Sequence, residues 1–378
     1  MKIGYVTNTN PKDRLSQSGA HYSMFNALKT DGTDVVHIGR SLWSLGSRLP
    51  RPLKRARRFL RAQSARETNY EEGMRIAQLL QKEIVKANVD LLYTANSPTS
   101  CLETDLPIVY RSDLTYRLYC EHYPVVRRAP KAVRDYQEEA EARKIQRADL
   151  IIYPSQWAAD SAVEDYGASR EKILVAPSGA NVENIPSMEE ILANRAENPC
   201  RLLFLGREWE RKGGAIAVET TIALNEMGLK TELIIVGTQP DFEVPSEFVT
   251  VVGFLDKNSN RERAQLEQLL KSCHFMHVPT RGEAFSLAFC EASAFGLPVI
   301  STATGGVPSA VKNGINGQLL PLEARGSDYA KVIIDLFSDR KAYEKLMVNS
   351  RKLYDDSFNW GAWGDVVRPR VMDLLRSR

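Results

Sequence analysis

No run of about 18 apolar residues occurs anywhere in this 378-residue chain, which argues against a membrane-spanning helix. Met1 leads straight into Lys2-Ile3-Gly4-Tyr5-Val6, a strand pattern, and the charged region, apolar region and cleavage site of a secretory leader are missing. A cytoplasmic protein is the expectation. The five cysteines, Cys101, Cys120, Cys200, Cys273 and Cys290, are odd in number, scattered and without a CxxC pair, so neither a disulfide framework nor a thiolate zinc site is implied. The five histidines show no ligand spacing, and there is no convincing Asp-x-Asp pair for a divalent cation. A formal net charge of only +3 makes nucleic acid an unexpected partner.

What the chain does have is 43% hydrophobic residues, enough over this length for two domains with a core each. Short runs rich in Val and Ile recur between longer helical patterns at Ile3 to Val6, Val35 to Ile38, Leu91 to Tyr93, Ile108 to Tyr110, Leu150 to Tyr153 and Ile173 to Val175. The pattern restarts at Arg201 to Leu205, Glu232 to Val236, Val249 to Val252, Phe275 to Val278, Pro298 to Ile300 and Gln318 to Leu320. Strands alternating with helices predict parallel sheets, here two α/β units in tandem. The polar stretch from Asn184-Ile185-Pro186 to Glu197-Asn198-Pro199 reads as a linker and puts the boundary near residue 190. The expected domains are 1–190 and 191–359, with an amphipathic helix in 360–378 crossing back to the first.

Three turns suit a phosphate. Ser18-Gly19-Ala20 opens a helix after the first strand, where Gly19 would let the backbone approach an anion, although an ordinary strand-to-helix turn reads the same way. Gly206-Arg207-Glu208-Trp209-Glu210-Arg211-Lys212-Gly213-Gly214 places cations at the carboxyl end of a strand, where open α/β sheets bind ligands. Trp209 is read as packing that positions this turn. Thr304-Gly305-Gly306-Val307-Pro308 repeats the strand-turn-helix context. Between the last two turns, Glu283 stands in a loop and Glu291 lies eight positions on, along a helix expected to begin near Phe285. The helical rise lets the two carboxylates bracket a ligand across that helix N-terminus. Glu291 has the apolar neighbours Phe289, Cys290, Ala292 and Ala294, so it is expected to have a partner, and a purely structural salt bridge is the alternative.

Gly206-Arg207 with Lys212-Gly213, Glu283 and Glu291 as Glu-x7-Glu, and Gly305-Gly306 ahead of Asn313-Gly314-Ile315-Asn316-Gly317 resemble the retaining glycosyltransferases of family four. The resemblance is dense over residues 200 to 325 and thinner over Ala148 to Trp157 and Val175 to Val182. It implies the GT-B fold, two Rossmann-like domains facing across a cleft. It also implies a nucleoside-diphosphate sugar as donor, a UDP- or GDP-sugar, and a hydroxyl of a glycan or lipid-linked acceptor. Arg207 and Lys212 would contact the diphosphate, Glu283 would lie beside the sugar and Glu291 would accept hydrogen bonds from the ribose hydroxyls. Gly19, Gly206 and the stretch Ala284-Phe285-Ser286-Leu287 complete the implied donor site. Cations that neutralise the leaving diphosphate make a metal unnecessary, so no cofactor or metal is expected. An epimerase or phosphorylase of the same fold, and an inactive scaffold, are the competing readings.

Three positions depart from the family pattern. Asp113, in Arg111-Ser112-Asp113-Leu114-Thr115, stands where many members carry a sugar-side His, and reads either as a sugar-side polar group or as a helix N-cap. Ser286 replaces the usual Gly after the Glu-x-Phe step, and Ser18-Gly19 replaces two glycines. Outside the motifs, Arg48, Arg51, Lys54, Arg55, Arg57, Arg58, Arg61 and Arg66 surround Leu53, Phe59 and Leu60. This basic amphipathic segment, 48–66, reads as a contact with an anionic inner membrane face, as a site for a phosphorylated acceptor, or as a solvated helix face. His274 and His277 flank a predicted strand and read as structural.

Overall fold

The computed structural model describes residues 1–30, 32–42, 65–95, 97–193 and 199–376. All but the backbone of the last two residues of the basic segment 48–66 lies outside the described residues. Each of the twelve apolar runs forms a strand, because a strand covered by helices on both faces reads as a continuous hydrophobic run.

In the first unit, β1 (Lys2–Val6), β2 (Asp34–Ile38), β3 (Leu91–Ala95), β4 (Ile108–Arg111), β5 (Leu150–Tyr153) and β6 (Ile173–Val175) make a parallel sheet ordered β2-β1-β3-β4-β5-β6. The register places Ile3 between Val35 and Leu91, and every residue of β3, β4 and β5 is buried.

The second unit repeats the design with β7 (Cys200–Leu205), β8 (Thr231–Val236), β9 (Val249–Gly253), β10 (Phe275–Val278), β11 (Val299–Thr302) and β12 (Gly317–Leu320), all parallel and ordered β12-β11-β10-β7-β8-β9. The strand order reverses between β7 and β10. Connections leaving these two neighbours therefore run to opposite faces, and their carboxyl ends open the crevice in which doubly wound sheets hold ligands. Among the described residues no helix is long and apolar enough to cross a membrane.

The units are Met1–Ala176 with Gly364–Arg378, and Pro177–Trp363. The divide falls earlier than the expected residue 190, for a physical reason. The residues that lead into the polar stretch are already bonded into the second unit: the Cys290 thiol donates to Ser178 O at 3.3 Å and the Ala180 N–H to Phe358 O at 2.8 Å. The Glu267 carboxylate accepts from the Glu183 N–H at 2.9 Å and from Asn184 Nδ2 at 2.7 Å. Ile191, from the short helix Met188–Ala193, is buried in that core.

The last helix, Trp360–Arg376, starts in the second unit, where Trp360 Nε1 donates to Asn181 Oδ1 at 2.9 Å. Its later turns belong to the first unit. There Val367 and Val371 are buried, Arg368 donates to Ala27 O at 2.9 Å and Arg370 donates to Glu171 O at 3.0 Å.

Gly179 marks where residues 177–182 meet the start of this helix. A Cβ on Gly179 would lie 2.5 Å from Trp360 N and 2.7 Å from the Asn359 carbonyl carbon, both main-chain atoms that cannot swing aside. Gly179→Ala is expected to cost about 1–3 kcal/mol. The expected readout is a lower urea midpoint with an unchanged slope, and an unaltered midpoint contradicts the close approach.

Candidate functional site

β7 ends at Leu205, and the chain then turns through Gly206 into the single helical turn Trp209–Lys212. Three glycines let this turn lie flat on its neighbours. A Cβ on Gly206 would sit 2.8 Å from Lys212 Cγ, so the glycine lets the lysine stem cross above it. Gly213 has φ +75°, and a Cβ there would fall 2.1 Å from Pro279 O, at the end of β10. A Cβ on Gly214 would fall 2.1 Å from the Trp209 ring. That ring is buried against Phe204 and Phe242, with centroids 5.6 and 5.9 Å away, and holds the turn as expected.

The turn meets the loop after β10. Arg211 O accepts from the Arg281 N–H at 2.7 Å and from the Thr280 hydroxyl at 3.1 Å, a main-chain clasp between the two loops. It brings the buried Glu283 carboxylate to Lys212, whose ammonium donates to Oε2. Arg211 NH1 adds a 3.4 Å contact to the same oxygen, and the Ala284 N–H donates to Oε1 at 3.2 Å. Burial on its own would raise the Glu283 pKa, but Lys212, Arg211 and the hydrogen bonds outweigh it and hold the group below the ordinary carboxylate range. The third Gly-rich turn joins here too, since the Gly306 N–H donates to Glu283 O at 2.9 Å and Gly305 has φ +53°.

Glu291 is almost fully buried in the helix Leu287–Ala294 and has the partner its apolar setting demands: Lys257, whose ammonium donates to Oε1. Lys257 comes from the loop after β9. That loop is stapled to the helix Asn260–Ser272 by Arg263 NH1 donating to Lys257 O at 3.0 Å and by the Asp256 N–H donating to Glu262 Oε2 at 2.6 Å. Arg207 is exposed, with its guanidinium carbon 4.7 Å from the centre of the Phe254 ring, a cation–π contact. Among the described residues no three His, Cys, Asp or Glu side chains are placed to hold a metal ion. The cations gathered here are Arg207, Arg211, Lys212 and Lys257.

The helix carrying Glu291 starts at Leu287 rather than near Phe285. Ala284 and Phe285 are buried, and Ser286 makes the turn at φ +73°, ψ +99°, a conformation suited to glycine. Arg211 and Lys257 are the cations that spacing did not single out. For Arg211 the available signal was its place beside Lys212 in a turn between glycines; for Lys257 there was none.

Gly19 and Asp113 belong to the first unit. Gly19 has φ +92° and caps the helix Ala20–Ala27. Asp113 is no N-cap: Thr115 caps the helix Tyr116–His122 by accepting from the Leu118 N–H. Asp113 instead pairs at 2.7 Å with the buried Arg111 and stays partly exposed. His274, just before β10, and His277, within it, are structural. His274 Nδ1 accepts from the Arg201 N–H at 2.8 Å. His277 lies between Ile300 O and the Thr220 hydroxyl, and burial pushes its pKa down to about 4.

Two family models match: Glycosyltransferase Family 4 over residues 22–184 and Glycosyl transferases group 1 over residues 199–339. The chain belongs to glycosyltransferase family 4. Among its relatives are D-inositol 3-phosphate glycosyltransferases from Paenarthrobacter aurescens, 28% identical over 59% of this chain and 57% of the relative, and from Actinosynnema mirum, 31% identical over 51% and 50%. The chain thus matches about half the length of these curated relatives. Solved structures confirm the GT-B fold. Sucrose-phosphate synthase from Thermosynechococcus elongatus superposes with a TM-score of 0.73 at 16% identity, covering all of both chains. Anabaena HepE in complex with UDP-glucose gives 0.63 at 18% identity, again over all of both chains.

In this family 4 chain Ser286 holds a backbone geometry that costs a non-glycine residue about 1–3 kcal/mol. Ser286→Gly removes that strain but adds about 0.4–1 kcal/mol of chain entropy to be lost on folding. A net gain of about 1 kcal/mol is expected as a raised thermal midpoint; a lowered midpoint contradicts the strained turn.

Proposed function

We propose that this protein transfers a sugar, with retention of anomeric configuration, from a nucleoside-diphosphate sugar to a hydroxyl of a glycan or lipid-linked acceptor. The observation that carries the reading is the meeting of Lys212 with the buried Glu283 at the point where the second sheet reverses its strand order. Sugar departure leaves negative charge on the terminal phosphate oxygen, and fixed cations stabilise that charge as it develops. Arg207 supplies a planar fork for two phosphate oxygens, and Lys212 a mobile point charge. The Leu287 and Ala288 N–H groups, which open the helix after Ser286, add donors beside the buried Ala284 and Phe285. Glu283 receives the sugar hydroxyls and Glu291 the ribose hydroxyls. Asp113, oriented by Arg111, is the sugar-side group of the first unit, and Gly19 lets its backbone approach the donor.

A UDP- or GDP-sugar is the donor we propose, in line with the UDP-glucose bound by the Anabaena neighbour. Charge neutralisation by Arg207 and Lys212 removes the need for a metal, so turnover is expected to survive EDTA. The acceptor's hydroxyl enters on the face the diphosphate leaves and passes its proton to a phosphate oxygen. The name of the relatives adds a phosphorylated cyclitol to the acceptors worth assaying.

Product analysis separates this reaction from that of an epimerase, which needs no acceptor, or a phosphorylase, which consumes free phosphate. Arg207→Ala is expected to lower turnover on the order of a hundredfold with the fold intact. Near-normal sugar transfer by that variant would remove Arg207 from the reaction.

A further inference from the structure

Glu283 is served by two cations, and they are not equivalent. Lys212 reaches it on a flexible stem laid over Gly206, and the diphosphate proposed above competes for that ammonium. A buried carboxylate that loses its cation gains a proton or moves. Arg211 is tied down by other partners. Its Nε and NH2 donate to the two Glu208 oxygens at 2.9 Å each, and NH1 donates to Gly282 O at 2.7 Å while lying 3.4 Å from Glu283 Oε2. To take this guanidinium a donor diphosphate would have to break four such contacts, whereas the Lys212 ammonium has the one to Glu283 to give up.

We propose that Arg211 is a positioning residue that keeps Glu283 ionised and in place while Lys212 turns to the donor diphosphate. This rests on the donor-site reading given above. The exchange is stepwise in charge. With the site empty, Glu208 and Glu283 are balanced by Arg211 and Lys212. When the lysine charge is shared with phosphate oxygens, the guanidinium remains the cation of the Glu283 carboxylate. Arginine suits the task because it does not lose its proton and presents a rigid fork that can hold Glu208, Gly282 O and Glu283 together. Hydrogen bonds to Arg211 hold Glu208, one ion pair away, below the ordinary carboxylate range and outweigh the repulsion from the Glu283 charge, which raises its pKa. From the turn after β11 it is a main-chain N–H, that of Gly306, that meets the segment, on Glu283 O.

The test is a carboxyl-carbon NMR titration of the full chain with labelled glutamate, the Glu283 signal being assigned by its loss in Glu283→Gln. UDP and GDP are the probes, each added separately. In the wild type Glu283 is expected to stay ionised at pH 6 with and without nucleotide. In Arg211→Gln its midpoint is expected to rise by about one pH unit or more, and to rise further in the nucleotide complex than in the free protein. Arg211→Lys keeps the charge and the main-chain clasp, and is expected to restore most of the wild-type behaviour. A loss of turnover in Arg211→Gln that is larger at pH 6 than at pH 8, with donor KM little changed, agrees with positioning. Nucleotide binding with an unchanged Glu283 titration in Arg211→Gln overturns the proposal alone. If neither nucleotide perturbs the wild-type spectrum, the donor-site reading falls and this assignment falls with it.

Discussion

A buried carboxylate in need of cations is the constraint around which the second unit is arranged. Glu283 sits under the loop after β10, where a charge is tolerated only if it is paired and hydrogen-bonded. Its cations come from the turn after β7, and the two meet because β7 and β10 are neighbours at the reversal of strand order. The glycines follow from that meeting. Gly206 clears the path of Lys212, Gly213 lets the turn touch the end of β10, and Gly214 accepts the Trp209 ring that keeps the turn from rising.

The same logic repeats at Glu291, whose partner Lys257 is delivered by the loop after β9. Buried ion pairs contribute little net stability, because desolvation cancels much of the attraction, while removing one partner leaves a costly unpaired charge. In both pairs the carboxylate is already compensated by a cation of the fold. A ligand carrying a diphosphate and hydroxyls could exchange with those internal partners without exposing a bare charge. The proposed roles of Arg207, Lys212, Glu283 and Glu291 are stages of that exchange.

Most of the fold was legible in the sequence because parallel strands buried on both faces cannot hide: apolar residues run through β1 to β12. Lys212 and Glu283 each stood out in the sequence because glycines and charges sit at fixed offsets from strands, but their pairing with each other did not. Arg211 and Lys257 did not stand out, since a cation in a charged turn looks solvated until folding brings up a partner far away in sequence. A polar, proline-bracketed stretch reads as a linker, whereas its first residue, Asn184, is held by the Glu267 carboxylate from a helix much further along the chain. For Asp113 the sequence offered two roles, and the structure removed one when Thr115 took the cap. Ser286 was visible as a departure from the family pattern, but the strained backbone at that position is a property of the fold.

The most direct test of the account is thermal unfolding of the wild-type chain with UDP, GDP, ADP and dTDP, free and sugar-linked, in EDTA and then with magnesium. The account predicts that one nucleotide raises stability by about 2.7 kcal/mol at a hundred times its Kd, equally with and without magnesium. A shift that appears only with magnesium would contradict a diphosphate held by arginine and lysine alone, and no shift with any nucleotide would contradict the donor site itself.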